Sequence, residues 1–263
     1  MTELIKKKVD ETIPKAVIQS LNASGFPFQT AIRHEIPRHN GWAVHASEYP
    51  WLDGMNRDNF LDIVAIKGRF ILCIECKKTG SEIFTFLLPL GGLSTGLVDD
   101  FRGELVQYKP EGGLIDNYPA VTQKIQPRSF FSEFCVVGSR KSGKDQGRLL
   151  ERDASLLVRA TDAFSADQRE LSKLPDEKLP RVLLPVMVTN APIYTARYAP
   201  TDVSLEKGEF SKVQPEDVEE AYWVRFSKSF TADRGRDMGH RSIFVVNATS
   251  FGAFLEKLEI APN

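Results

Sequence analysis

Two short apolar runs joined by a tight turn constrain this chain more than any other feature. Residues 61–66 read Leu-Asp-Ile-Val-Ala-Ile, and residues 70–77 read Phe-Ile-Leu-Cys-Ile-Glu-Cys-Lys. Runs of this length rich in Val, Ile and Phe favour paired strands. Lys67-Gly68 fits a two-residue hairpin turn, with glycine where a positive φ is wanted. Under that turn Ile66 faces Arg69 and Asp62 stands opposite Cys73. Side chains alternate along a strand, so Cys73, Glu75 and Lys77 share the face of Asp62. Glu75 is then the diagonal neighbour of Asp62, with Cα atoms roughly 7–8 Å apart. An odd-numbered loop would flip the register and separate the two acids. Burying an ion costs several kcal/mol unless it is paired or binds a metal. A buried acid–lysine pair is the plain alternative, but two acids and one lysine leave one acid over, which points to a site.

Asp62, followed thirteen residues later by Glu75-Cys76-Lys77, resembles the PD-(D/E)XK nuclease superfamily. The surroundings resemble it too: a helix near the N-terminus, a strand, the acid-bearing hairpin, a later helix and a further strand. The resemblance covers residues 9–79 and, more loosely, 146–190. Leu61 stands where that motif has its proline. The resemblance implies a restriction-endonuclease-like core, a central mixed β-sheet flanked by helices, within one α/β (α+β mixed) domain over residues 1–263. It also implies that Asp62 and Glu75 hold Mg²⁺ or Mn²⁺ with the Cys76 backbone carbonyl. Lys77 would be the catalytic lysine, and Glu11 a supporting acid from the first helix. Phosphodiester cleavage gathers negative charge on oxygen, which a hard cation and a nearby ammonium both stabilise. The implied substrate is nucleic acid, DNA ahead of RNA, in a restriction or anti-phage setting, with a homodimer or a defence partner.

Composition sets outer limits. With 263 residues, 42% apolar and 26% charged, the chain can bury a sizeable core and is not generally disordered. No apolar stretch is long enough to cross a membrane, and the first residues lack a signal-peptide apolar run, so the expectation is cytoplasmic. A net charge of −1 excludes a globally basic nucleic-acid binder. Phosphate contacts must then come from local groups, the candidates being Arg140, Lys141, Lys144 and Arg148, and Arg234, Arg236 and Arg241. Three cysteines suggest no disulfide framework. Cys73 and Cys76 form a C-x-x-C string, but residues three apart on a strand face opposite ways and cannot chelate together. His34, His39 and His45 fall in one strand-to-loop region, facing the surface or a substrate.

Periodicity organises the remainder. Val9–Ser24 reads as an amphipathic helix that effectively begins near Thr12, Phe28–Ile36 as the first strand, and 37–59 as a polar, aromatic loop. Residues 80–145 read as a long insertion, substrate-facing or oligomeric, with a strand over 130–138. A helix is expected from Gln146 to Leu171 with Asp145 as its N-cap, then a strand buried on both faces over Arg181–Asn190. Ile193–Tyr198 continues that strand or pairs beside it. Two more strands, Tyr222–Phe230 and Ser242–Ala248, form a C-terminal extension of the sheet within 199–263, closed by a helix through Phe251 and Leu258. Residues 138–145, Gly-Ser-Arg-Lys-Ser-Gly-Lys-Asp, nearly spell a phosphate-binding P-loop. Asp145 replaces its metal-holding hydroxyl. Two alternatives to a nuclease therefore stand: the same fold as an inactive nucleic-acid-binding or regulatory module, and a P-loop-like nucleotide binder at Gly138–Asp145.

Overall fold

Nine consecutive buried residues, Arg181–Thr189, form the strand around which this mixed α/β protein is built. The computed structural model describes residues 12–53, 55–91, 96–109, 111–139, 149–175, 180–231 and 237–260. In chain order the helices and strands are α1 (Thr12–Ala23), α2 (Phe26–Glu35), β1 (Ala43–Leu52), β2 (Asp58–Lys67), β3 (Phe70–Lys77), β4 (Glu82–Pro89), β5 (Val98–Lys109), β6 (Leu114–Ser132), β7 (Cys135–Ser139), α3 (Leu149–Ser165) and α4 (Gln168–Leu171). The C-terminal third adds β8 (Arg181–Thr189), β9 (Ile193–Tyr198), β10 (Val218–Glu220), β11 (Trp223–Thr231), β12 (Asp237–Asn247), α5 (Phe251–Lys257) and β13 (Glu259–Ile260).

The main sheet runs β1-β2-β3-β8-β12-β11-β6-β13. β1, β2 and β3 are antiparallel neighbours, while β8 lies parallel to β3 and to β12. A parallel neighbour needs a crossover, and the long helix α3 lies within the segment that returns from β3 to β8. The other edge of β8 is shared: Val186–Thr189 pair with β12, and Arg181–Leu183 pair with β5. Because β5 also pairs with β6, strands β8, β12, β11, β6 and β5 close into a five-stranded barrel. Gly103 permits the closure, since a Cβ there would lie 2.7 Å from the Phe101 ring and 3.1 Å from the Leu183 carbonyl oxygen. A second sheet, β10-β9-β4-β7, lies beside the first.

Two apolar layers flank the sheet. One packs α3, through Leu150, Ala154, Leu157, Val158 and Phe164, over Val64, Cys73 and Leu183. The other packs Ile32, Ile36 and Phe254 against Ile63, Ile74 and Val186. A fully buried Leu or Phe contributes about 1.5–3 kcal/mol over its exposed state, so these layers fix the orientation of the hairpin. α1 takes little part, with Ile13, Val17 and Leu21 more than half exposed. Among the described residues no helix is long and apolar enough to cross a membrane.

Several sequence expectations change. Phe28–Ile36 is helical, because Phe28, Ile32 and Ile36 recur every four residues and Pro27 suits a first helical turn. The 37–59 loop contains β1, whose alternation is hidden by a bulge between Val44 and Ala46 and by Glu48 at φ +54°. The 80–145 segment supplies β4 to β7, so it builds the barrel and the second sheet instead of hanging off the domain. The 146–171 helix breaks at Ala166-Asp167, where Asp167 accepts the Arg169 N–H and caps α4. Ile193–Tyr198 pairs with β4, not beside β8. His39 and His45 pair with Glu35, Glu256 and Glu170 instead of facing a substrate, while His34 is exposed.

Candidate active site

The β2–β3 ladder sets the geometry. Lys67 pairs with Phe70 and Ile63 with Ile74, so the turn is Gly68-Arg69, with Gly68 at φ +51°. The Lys67-Gly68 turn expected from sequence is therefore displaced by one residue. The register moves by two, which preserves parity, and the ladder ends at Ile63–Ile74, so Asp62 and Glu75 are the next residues beyond its last pair, while Cys73 pairs with Val64. The two carboxyl groups lie close enough for Asp62 to act electrostatically on Glu75. Glu75 and Lys77 pair along their own strand edge with Met187 and Thr189 of β8.

Asp62 and Glu75 are half-buried. Asp62 Oδ2 accepts the Cys76 backbone N–H at 2.7 Å. A strand residue turns its N–H and C=O to the same side, so the Cys76 carbonyl also faces β2. Burial, and then Asp62, push the Glu75 carboxyl up to about 8. Asp62 is pushed up as well, by burial and then by Glu48, against the opposing pull of the Cys76 N–H. Packing thus holds together two carboxyl groups that would repel if both were ionised, and the raised Glu75 keeps its proton near neutral pH. Cys73 lies in the apolar layer beneath α3, whereas Cys76 packs against the opposite layer, so the C-x-x-C thiols do point apart.

Three further residues belong to this neighbourhood. On β1, Ser47 pairs with Ile63 and Tyr49 with Leu61, which sets Glu48 opposite Asp62 on its other side. Glu48 adopts the left-handed region at φ +54°, a conformation that costs on the order of 1–3 kcal/mol outside glycine. Gln29 of α2 donates through Nε2 to the Glu48 carboxylate and, at 3.3 Å, to the Asp62 carbonyl oxygen. Asp153, near the start of α3 and 8% exposed, pairs with the Lys77 ammonium. Lys78 Nζ donates to the Asn22 carbonyl and, at 3.1 Å, to that of Ser24, which ties the end of α1 beside the hairpin. Sequence reasoning missed Glu48 because its strand read as loop. Asp153 carried a usable signal, an acid between Leu150 and Ala154 on the apolar face of a helix.

The donor set fits a hard divalent cation: two carboxylates and a main-chain oxygen. Among the described residues no three His, Cys, Asp or Glu side chains gather closely enough to hold an ion by themselves. The carboxylate pair would therefore share its cation with water, as Mg²⁺ sites commonly do. Glu11, Arg140, Lys141, Lys144, Arg148, Arg234 and Arg236 lie outside the described residues, as does most of the Gly138–Asp145 segment. Arg241 is not a surface phosphate contact. It lies on β12, 4% exposed, within 3.4 Å of Asp162. Comparison of the chain with protein-family models, curated proteins and solved structures returns no match.

Proposed function

We propose that this chain is a divalent-metal-dependent nuclease of the PD-(D/E)XK type, cleaving phosphodiester bonds in DNA. One observation carries the reading: Asp62 and Glu75 follow directly on Ile63 and Ile74, the last paired residues of the β2–β3 ladder, close enough for Asp62 to raise the Glu75 carboxyl, and Lys77 lies two residues further on. The order α2, β1, the β2–β3 hairpin, α3 and β8 matches the pattern that the resemblance implies for a restriction-endonuclease-like core.

Each residue then has a chemical task. Asp62 and Glu75 would hold the cation with the Cys76 carbonyl, and because Glu75 binds a proton tightly, a cation would have to displace that proton. The Cys76 N–H fixes Asp62 Oδ2. Lys77 offers a positive N–H donor to a phosphate oxygen or the attacking water. The bound cation would supply acidified water and charge stabilisation for the pentavalent phosphorus.

The test uses supercoiled plasmid with Mg²⁺ or with EDTA. Nicking or linearisation in Mg²⁺ alone, lost in Asp62→Ala and Lys77→Ala, is the expected result, and equal cleavage by both variants would sink the site. The Lys77–Asp153 pair favours a second reading, a module of the same fold that binds nucleic acid without cutting it. Retention of plasmid on the protein without cleavage under any divalent ion would favour that module.

A further inference from the structure

We propose that Asp153 positions Lys77, drawing its ammonium to the helix side of the hairpin so that Asp62 and Glu75 stay open to a cation. This rests on the nuclease reading of the same residues. Lys77 shares a strand face with Glu75 two positions away, about 6–7 Å along the backbone, and Glu75 is the acid it would reach by default. A lysine folded onto that carboxylate would cancel the charge that attracts a cation. In the structure the Lys77 ammonium pairs with Asp153 Oδ2, and both groups stay within electrostatic reach of Glu75.

Asp153 is built to hold that place. Its other oxygen, Oδ1, accepts Nε and the terminal nitrogen of Arg152, each at 3.3 Å. Both carboxylate oxygens are thus engaged by cations. Its neighbours Leu150 and Ala154 are buried beneath α3, which fixes the first turn of the helix against the sheet. The Lys77 side chain keeps 26% of its exposure, and an ammonium has three N–H donors, so one can serve Asp153 while two remain for a phosphate. Asp153 acts through Lys77 and is a positioning residue.

A simple staple between α3 and β3 would use the same contact, so the test must separate the two. Mn²⁺ is titrated onto the protein and followed by electron paramagnetic resonance, which needs no cleavage. Asp153→Asn should weaken Mn²⁺ binding about tenfold and lower kcat at least tenfold, with KM for plasmid changed less than twofold. In a Lys77→Met background the Asn substitution should alter Mn²⁺ binding less than twofold, because no ammonium is left to restrain. Asp153→Glu should restore most of both. Equal weakening in the two backgrounds would make Asp153 a direct charge on the ion and overturn the proposal, as would no effect in either. Acetylation of Lys77, read by mass spectrometry on the unmutated protein, covers the case of a variant that does not fold. Its rate should not change with Mn²⁺, whereas a lysine lying on Glu75 would be released and react faster. Mn²⁺ binding without cleavage would reject the nuclease reading and leave the cycle to decide Asp153, and no Mn²⁺ binding at all would reject both.

Discussion

One helix delivers an acid to each of two carboxylate clusters, and the clusters differ in kind. Asp153 at the start of α3 reaches the Asp62–Glu75 pair, and Asp162, nine residues on, reaches Glu104 in the barrel wall. Nine residues span about 13 Å of helix, so the clusters lie at opposite ends of β3 and β8. Burial and Glu104 push Asp162 up to about 8, much as burial and Asp62 push Glu75. Their satisfaction differs. Glu104 is 2% exposed, and its Oε1 accepts from Asn117 and Ser165, while its Oε2 is buried without a hydrogen-bond partner among the described residues. Asp162 has the buried Arg241 guanidinium at 3.4 Å. The inner acids are enclosed by protein, with Arg241 beside Asp162. At the hairpin the lysine is turned aside and the acids stay half-exposed. A raised carboxyl by itself therefore marks burial, and only access with an unneutralised neighbour marks a site.

Breaking the inner cluster should give the largest effect. Arg241→Met leaves two buried acids without their cation and should destabilise the fold by about 3–5 kcal/mol. Urea midpoints should reveal that loss, while Mg²⁺ activation of the folded fraction stays unchanged. Next come Asp62→Ala and Lys77→Ala, which should lower plasmid cleavage about 10²–10³-fold with melting temperatures close to the parent's. A loss of fold in both would place the hairpin acids in the same structural class as Glu104.

The pH dependence sharpens the contrast. Glu75 and Asp162 hold a proton more tightly folded than unfolded, so between the ordinary carboxylate range and about 8 the native state binds more protons. Stability from these groups is full at low pH and declines as pH rises through the folded values. In EDTA, Glu75→Gln should recover on the order of 2 kcal/mol at pH 8 relative to the parent. Mg²⁺ should offset the Glu75 share in the parent and leave the Asp162 share untouched, a split that melting curves with and without metal would display.

The smallest effect concerns Glu48. Glu48→Gly removes left-handed strain and should stabilise the chain by about 1 kcal/mol, while cleavage falls several-fold. A stabilised variant with full cleavage would exclude Glu48 from the site.

The hairpin was legible because its signal is local. Two apolar runs, a glycine turn and the period of two place Asp62, Glu75 and Lys77 on one face in any register of the right parity. The exact turn, Gly68-Arg69, was not legible, since Lys67-Gly68 and Gly68-Arg69 satisfy the same local rule. α2 was not legible as a helix, because a loose alternation over 28–36 masks the spacing of four between Phe28, Ile32 and Ile36. β8 was plain from its unbroken Val and Leu run. The barrel was not, since its closure depends on where β5 meets β8, and Gly103 has meaning only once Leu183 is its neighbour.

By itself, then, the sequence determined the mixed α/β character, the buried hairpin and the identity of its acids and lysine, because periodicity and burial act within a few residues along the chain. Tertiary structure alone decided what surrounds them. Glu48 arrives by pairing of β1 with β2, Gln29 by packing of α2, and Asp153 by the return of α3 over the sheet. Those contacts join residues 14 to 76 positions apart only because the chain folds back, and no local pattern encodes which distant carboxylate a lysine will choose.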